Sequence, residues 1–287
     1  MEDNYALGKE LGRGGFGTVW AAQNRATGEP VAIKIIERQR QLVEDFRLEP
    51  AEVEILKTVS HPNIVQLLDC LSTHHCVYLV MEVVLGGHLQ ARLQNQGYYD
   101  ERRARMLFAQ VVEAVHHLHE RNIIHRDVKP ENILFAERHD EVTVKLTDFG
   151  LSERRARAET PAPPRKHRTP HPHQSIPAPG TMKEGRLTTR CGTPSYCAPE
   201  LLSGAGYGKA VDVWSLGVLA YVVLTGVLPF VGADRAELFR KIQKGSYDFA
   251  SVRVPISALA RDLIWRLLRL VPMERYSTRE TLQARSR

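Results

Sequence analysis

The hydrophobic pattern changes once along this chain, at the Gly86-Gly87 pair. Before it, apolar residues alternate in short strand-like runs around one helix near 51–58; the runs are 5–13, 17–23, 30–36, 64–72 and 77–83. After it, apolar residues recur at helical spacing in 101–120, 209–224, 235–244 and 258–270. The pattern predicts an α+β protein of two lobes, joined near 82–87, with a cleft for a small ligand between them.

Composition restricts the class of protein further. The chain has 287 residues, enough for one large or two modest domains, and 43% of them are hydrophobic and 25% charged. These values are ordinary for a globular protein, so collagen-like, fibrous and wholly disordered classes are excluded.

The formal charge of +6 comes from one segment, 152–190, which holds nine basic and three acidic residues. The rest of the chain is therefore neutral overall, and any nucleic-acid binding would be confined to this segment, so we do not expect it. All of the segment's seven prolines fall in 152–187, and it has no aromatic residue. We expect 152–187 to be a basic, proline-rich, disordered insertion.

The cysteines and the apolar runs indicate in which cellular compartment the protein is expected. Cys70, Cys76, Cys191 and Cys197 form no CxxC pair, and no apolar leader precedes them, which favours a reducing compartment. No apolar run reaches about 18 residues, the length typical of a membrane span. We expect a cytoplasmic protein without a membrane partner, and the basic patches at 154–157 and 164–168 leave a nuclear location open.

A glycine-rich string, Gly12-Arg-Gly-Gly-Phe-Gly17, is the first candidate ligand site, because glycines let backbone amides approach phosphates. A dinucleotide fold would need these glycines to open a helix. The residues that follow, 18–22 and then 31–34, have strand character instead, which argues against that fold. A hairpin without a ligand is the alternative if the string is taken alone.

Three further motifs follow in a fixed order: His125-Arg126-Asp127 with Asn132, then Asp148-Phe149-Gly150, then Ala198-Pro199-Glu200. With this set the sequence resembles the eukaryotic protein kinases from Gly12 to Arg275. The resemblance implies one catalytic domain over 5–287, with a small sheet-rich N-lobe (5–83), a larger helical C-lobe (84–287) and an ATP cleft between them. It is greatest to the calcium/calmodulin-dependent, Aurora and Polo-like kinases, and it does not choose among them.

The resemblance implies transfer of the γ-phosphate of MgATP to protein hydroxyls, a reaction that needs positioning and charge neutralisation more than covalent help. Lys34 would contact phosphates and be held by Glu52, which stands ten residues before Pro62. Asp127 would act as the base, and Asn132 and Asp148 would bind Mg²⁺. Lys129 in the catalytic loop, with Gly192-Thr193-Pro194, resembles the serine/threonine group.

By the same resemblance, ATP would lie between the glycine-rich strands, the hinge and the C-lobe. Met81 would be the gatekeeper, Glu82 and Val83 the hinge, and Val19, Ala32 and Leu134 the walls around adenine. The residues assigned to ATP are Leu11, Gly12, Arg13, Gly14, Gly15, Phe16, Gly17, Val19, Ala32, Lys34, Met81, Glu82, Val83 and Leu134.

Thr189 stands at the usual position of an activating phosphothreonine, and Arg126 would receive its phosphate. The resemblance thus implies protein substrates and an upstream activating kinase. The insertion lengthens the activation segment, so we expect this segment to need a partner or a modification to order it. Since little chain follows Arg275, control is expected within that segment or in other proteins.

Several residues depart from the family or serve its fold. His88 stands where many arginine-recognising relatives have glutamate and Val222 where some have another acid, but Glu131 remains, so recognition of arginine before the target serine is not excluded. Pro50 forces the helix of Glu52 to start late, which could make its pairing with Lys34 conditional. Asp212 resembles the acid that supports the catalytic loop, and Glu200 and Arg275 an internal ion pair. The three residues His116, His117 and His119 are expected to decorate a helix surface.

Two other classes remain open. A pseudokinase or ATP-binding scaffold would usually lack Lys34, Asp127 or Asp148, and all three are present. A protein tethered to nucleic acid through 152–187 would bind DNA or RNA in a salt-dependent way, and this binding would disappear when the segment is deleted.

Overall fold

The computed structural model describes residues 1, 3–15, 17–37, 51–155, 193–204, 206–250, 252 and 254–284. Phe16, Thr189, the histidines of the 156–187 stretch and nearly all of the expected insertion lie outside these residues. The described elements fall into a sheet-rich part followed by a helical part, as the hydrophobic pattern predicts.

The N-terminal part is an antiparallel sheet of five strands in the order β1-β2-β3-β5-β4. The strands are β1 (Tyr5–Gly14), β2 (Gly17–Asn24), β3 (Pro30–Glu37), β4 (Leu67–Ser72) and β5 (Cys76–Glu82), and the helix α1 (Ala51–Leu56) comes between β3 and β4.

Alternation in β5 shows how the two faces of the sheet are used. Val77, Leu79 and Met81 belong to the large core shared with α1 and the helical part, whereas Val80 packs in a smaller core with Ile33 on the other face. Both faces of the central strands are therefore buried, and this fixes the register of β3 against β5.

The C-terminal part is mainly helical. Its helices are α2 (Leu89–Gln96), α3 (Glu101–Glu120), α4 (Pro199–Ser203), α5 (Ala210–Thr225), α6 (Arg235–Lys244), α7 (Ala258–Leu267) and α8 (Thr278–Ala284). Among the described residues between α3 and α4 there are four short strands: β6 (Ile123–Ile124), β7 (Ile133–Phe135), β8 (Val144–Leu146) and β9 (Glu153–Arg154).

Two helices organise this part. The helix α5 is buried along almost its whole length and is the centre of the lobe, which explains its nearly continuous apolar sequence. The helix α3 is amphipathic, begins with Asp100 accepting a hydrogen bond from the Arg103 amide at 3.0 Å, and packs its apolar face on α5.

The predicted strand over 64–72 was wrong at its start. β4 begins at Leu67, because Ile64 and Val65 are buried in the core and bond to Leu146 of β8 instead of extending the sheet. The predicted helix over 258–270 also ends earlier, at Leu267, where the Leu268 amide still donates to Ile264 but the backbone leaves the helix. The prediction over 235–244 coincides with α6.

Candidate active site

Lys34 occupies the middle of β3, opposite Val19 in β2 and Leu79 in β5. Its side chain is buried, and its Nζ lies 2.7 Å from Glu52 Oε1 and 2.9 Å from Asp148 Oδ1. Glu52 comes from α1 and Asp148 from the loop after β8. One ammonium thus joins three separate elements, and the Lys34–Glu52 pair that the sequence made conditional is formed here.

The charges of this group shift its proton equilibria. Burial opposes the ammonium form of Lys34, but the two carboxylates outweigh it and raise the Lys34 pKa above its usual value. Burial raises the pKa of Glu52, and Lys34 offsets this only in part. For Asp148, burial would also raise the pKa, but Lys34 and the nearby His125 hold it below its usual range. Asp148 is therefore the more firmly ionised carboxylate of the two.

The residues predicted for catalysis converge on the loop between β6 and β7. Asn132 Nδ2 donates to both the carbonyl oxygen and Oδ2 of Asp127, each at 2.8 Å. Lys129 Nζ lies 2.8 Å from the same Oδ2. The Asp127 side chain is buried, so these bonds fix its orientation and leave Oδ1 as the oxygen that can accept a further proton or donor.

Asp212, at the start of α5, holds the backbone of this loop. Its carboxylate accepts from the His125 amide at 2.9 Å and from the Arg126 amide at 2.8 Å, while His119 Nε2 lies 2.8 Å from Oδ2. Arg126 has a φ of 67°, a left-handed conformation that needs such support. Asp212 therefore stabilises the turn that presents Asp127.

Asp148 also stands in a left-handed conformation, with a φ of 65°. The Gly150 amide lies 3.4 Å from Asp148 Oδ1, and Phe149 is buried with its ring edge-on to His125 at a centroid distance of 5.0 Å. Thr147 N donates to the Asn132 carbonyl at 2.9 Å. Asn132 and the residue before Asp148 are thus joined through the backbone, which places both predicted metal-binding side chains at one end of the β7–β8 hairpin.

The residues predicted around adenine lie where β3 and β5 meet the C-lobe. Ala32 pairs directly with Met81, both are buried, and Val31 pairs with Glu82 at the end of β5. Leu134 in β7 is half-buried and forms a bridge with His88. Glu82 accepts from Lys145 Nζ at 2.9 Å, and Val83 follows it out of the sheet.

The glycine-rich residues form the turn between β1 and β2, where Gly14 pairs with Gly17 and Gly12 with Val19. Leu11 and Arg13 are exposed on β1, and Arg13 is 3.1 Å from Glu10. Gly12, Gly14 and Gly15 have free space where a Cβ would be, whereas a Cβ on Gly17 would collide with the Ile35 carbonyl oxygen. The hairpin therefore has open space beside Gly12, Gly14 and Gly15, which suits a ligand carrying phosphates.

A groove of about 440 Å³ lies elsewhere, among α3, α5, α7 and α8, and is lined by residues such as Phe108, Leu263 and Leu282. It contains none of the predicted site residues. Within the described ranges, no helix is long and apolar enough to cross a membrane, and no three His, Cys, Asp or Glu side chains form a metal cluster.

Sequence reasoning missed two features of the site. His119 was expected on the helix surface and that expectation was wrong: it is buried and bonds to Asp212. Its position seven residues after Val112 on the apolar face of α3 was the signal. The second feature is the pairing of Arg126 with Glu153 and Tyr207, which no motif predicts.

Comparisons with known proteins identify the family of this chain. Residues 5–285 match the family model described as the protein kinase domain. The chain is 39% identical to calcium/calmodulin-dependent protein kinase type 1B of Homo sapiens over 280 residues, 97% of this chain and 74% of that protein. It is 37% identical to calcium/calmodulin-dependent protein kinase type 1 of Caenorhabditis elegans over 284 residues, 98% of this chain and 74% of that protein.

A third relative is myosin light chain kinase A of Dictyostelium discoideum, 38% identical over 270 residues, which are 93% of this chain and 82% of that protein. The chain therefore belongs to the protein kinase family. It is a serine/threonine kinase domain and therefore a phosphotransferase. The relatives named here are calcium/calmodulin-dependent and myosin light chain kinases, and the calcium/calmodulin-dependent kinases are one of the three groups that the sequence left open. None of these comparisons supports the pseudokinase alternative.

Proposed function

We propose that this kinase uses MgATP to phosphorylate serine and threonine hydroxyls of proteins through the residues described above. The observation that carries the proposal is the bridge from Lys34 to Glu52 and Asp148, at 2.7 and 2.9 Å. It sets a buried cation and an ionised carboxylate side by side between the two lobes. Charge spread over phosphate oxygens needs this combination, a fixed cation beside a ligand for Mg²⁺.

The donor atoms on both sides of the site fit Mg²⁺. Both hydrogen bonds to Asp148 go to Oδ1, so Oδ2 is the oxygen that can bind a cation. Asn132 uses its amide nitrogen for Asp127, so its amide oxygen is the other ligand. One carboxylate and one amide leave room for phosphate oxygens and water, which Mg²⁺ prefers.

MgATP, when bound, supplies the phosphoryl group. Lys34 then orients phosphate oxygens, and Glu52 prevents the ammonium from turning away. Asp127 Oδ1 accepts the proton of the attacking hydroxyl as the new P–O bond forms and the bond to the leaving phosphate breaks. Lys129, whose Nζ lies 2.8 Å from Oδ2, neutralises charge next to that oxygen.

We assign adenine to the apolar space beside Ala32, Met81 and Leu134, with Glu82 and Val83 as the backbone edge that reads its polar atoms. The glycine-rich turn covers the phosphates. Ala32 and Met81 support this, because they are a directly paired, buried couple at the end of the sheet that faces the C-lobe.

The partners we propose are protein substrates, with no role for nucleic acid or a membrane. We propose that the kinase acts in the cytoplasm and that the basic patches also direct it to the nucleus. A substrate screen addresses the first point. If His88, which caps α2 by accepting from the Ala91 amide at 3.0 Å, and the buried Val222 have removed arginine recognition, the preferred peptides will lack a basic residue before the target hydroxyl.

The test is transfer of labelled γ-phosphate from MgATP to a serine/threonine peptide array by the intact chain and by Asp127→Asn. We expect a loss of about 10²- to 10⁴-fold in kcat, the usual contribution of a general base, with little change in ATP affinity. Glu137→Gln, which removes an exposed carboxylate after β7, is the matched control. Equal labelling by Asp127→Asn and the intact chain would refute the proposed roles.

A further inference from the structure

Two of the three nitrogens of the Arg126 guanidinium already have partners. Its Nη1 lies 3.1 Å from Glu153 Oε2 and 2.5 Å from the Tyr207 hydroxyl, and its Nε donates to the Leu151 carbonyl. Its side chain is only 18% exposed. The arginine next to the catalytic Asp127 is therefore neutralised and oriented by groups within the described chain.

Glu153 is the centre of this arrangement. Tyr207 donates to the same Oε2 at 2.6 Å, so Arg126, Tyr207 and Glu153 form a closed ring of three hydrogen bonds. Arg155 Nε lies 3.8 Å from the other oxygen, Oε1. Burial, and then donation to Glu153, raise the pKa of Tyr207, which keeps its hydroxyl protonated and able to donate.

The backbone around Glu153 ties the start of the activation segment to the catalytic loop. Glu153 pairs with Ile124 and Arg154 with Ile123, where β9 meets β6 just before His125. Ser152 Oγ donates to the His125 carbonyl at 3.3 Å, and the Arg154 guanidinium donates to Thr58, two residues beyond α1. The position of Glu153 thus bears on the catalytic loop and on the helix that carries Glu52.

We propose that Glu153 is a positioning residue that acts as a built-in anion for Arg126, holding the catalytic loop and β9 in their working arrangement without a phosphate on the activation segment. The proposal rests on the proposed function, since it concerns how the Asp127 site is held. It also reverses the role expected for Thr189. A carboxylate already occupies the cation that a phosphothreonine would need, and a second anion beside it would be repelled.

The test compares five forms of the full chain, each freed of phosphate by a phosphatase and checked by mass spectrometry: the wild type, Thr189→Ala, Glu153→Gln, Arg126→Gln and the double variant Glu153→Gln/Arg126→Gln. Two further forms carry phosphothreonine incorporated at position 189, one in the wild-type and one in the Glu153→Gln background. The readouts are kcat, KM for MgATP and the thermal midpoint. Glu141→Gln, which breaks the exposed pair with Arg103, is the control for loss of a surface carboxylate.

We expect the unphosphorylated wild type, Thr189→Ala and the wild type with phosphothreonine to agree in kcat within about threefold. Glu153→Gln should lose about tenfold in kcat, the value of one charge-assisted hydrogen bond, with KM for MgATP unchanged. Phosphothreonine at 189 should restore most of that loss, which a merely structural role of Glu153 would not produce. The Glu153→Gln and Arg126→Gln losses should not add in the double variant, because both remove the same pair.

A wild type that needs phosphothreonine for more than tenfold of its kcat, or a Glu153→Gln variant that keeps the wild-type kcat, would overturn this inference. If Glu153→Gln does not fold, the wild-type comparison still decides, and Tyr207→Phe, which removes one side of the ring, should lower kcat about threefold. A wild type without MgATP-dependent transfer in either state would overturn the proposed function as well.

Discussion

Both terminal guanidinium nitrogens of Arg275 donate to the two carboxylate oxygens of Glu200, at 2.6 and 2.8 Å. The Arg275 side chain has no exposed surface, and it also donates to the carbonyls of Arg269, Leu270 and Ala210. Arg275 lies between α7 and α8, so this buried side chain joins that part of the C-lobe to α4, which follows the activation segment. The sequence assigned this pair to structure rather than catalysis, and every contact it makes is with other parts of the fold.

Breaking this pair is expected to cost far more stability than breaking a surface pair. Glu200→Gln leaves a buried arginine without its counter-charge, and the loss should be about 3–5 kcal/mol of unfolding free energy. Asp262→Asn removes the exposed i,i+4 pair with Arg266 in α7 and should cost less than about 1 kcal/mol. Urea titrations of the two variants beside the wild type measure both values. Equal losses would contradict this account of the Glu200–Arg275 pair.

Glu52 and Glu54 lie two residues apart in α1, but only Glu52 is buried against Lys34. We expect Glu52→Gln to lower kcat/KM for MgATP about 10- to 100-fold, because the Lys34 ammonium then loses the carboxylate that lies 2.7 Å away. Glu54→Gln should stay within about twofold of the wild type, since its side chain is exposed. Steady-state kinetics with varied MgATP decide the point, and a loss in Glu54→Gln alone would show that the partner has been misassigned.

The glycine-rich turn offers a matched pair of substitutions. Gly17 has a φ of 136°, and an added Cβ would collide with the Ile35 carbonyl. Gly17→Ala should therefore lower the free energy of unfolding by about 1–3 kcal/mol and weaken MgATP binding. Gly14→Ala meets no atom within 4 Å and should be tolerated by the free protein. Thermal melting with and without MgATP separates the two. If Gly14→Ala leaves the melting temperature of the free protein unchanged and lowers only the rise in melting temperature that MgATP causes, the nucleotide occupies the open space beside Gly14.

Asp212 makes stability depend on pH in the acid range. Burial alone would raise the pKa of this carboxyl, but hydrogen bonding and charge from His119, then His125 and the Arg126 amide, hold it below its ordinary value. A carboxyl with a lowered folded-state pKa stabilises the fold above its unfolded pKa, about 3.9, and this contribution is lost as pH falls through the folded-state pKa.

Asp212→Asn should therefore cost about 2–4 kcal/mol at neutral pH and flatten the fall in stability below about pH 4. Denaturation at a series of pH values checks this, with Asp234→Asn, the exposed N-cap of α6, as the control. An unchanged slope below pH 4 in Asp212→Asn would place the acid sensitivity on other carboxyls. The variant should also lower kcat, because two amides of the catalytic loop lose a charged acceptor.

Much of the candidate site could be predicted from short stretches of sequence. Asp127, Lys129 and Asn132 lie within six residues, and the structure joins them by bonds of 2.8 Å, as their spacing in one loop allows. Glu52 was chosen by the family resemblance, which places the glutamate ten residues before Pro62, and α1 brings it to Lys34. Local spacing is informative in such cases because a tight loop or one helical turn fixes which side chains share a face.

Other relationships had no local signature. His119 was misplaced because its partner, Asp212, is 93 residues away and reaches it only when α3 packs on α5. The start of β4 was misplaced because Ile64 and Val65 are β-branched apolar residues, typical of strands, that pack in the core outside the sheet. In each instance the position of the residue follows tertiary packing and not the local sequence pattern, because packing buries more apolar surface.

The sequence by itself determined the class of protein and its chemistry, because the order of a lysine, two aspartates and an asparagine among glycines and strands specifies the groups that handle phosphate. Only the tertiary structure decided what holds those groups in place. Arg126 faces Glu153 rather than open solvent because β9 pairs with β6, and Tyr207 reaches the same carboxylate from 54 residues away. Side-chain pairing across such distances depends on how the elements pack, since no spacing within either stretch encodes it.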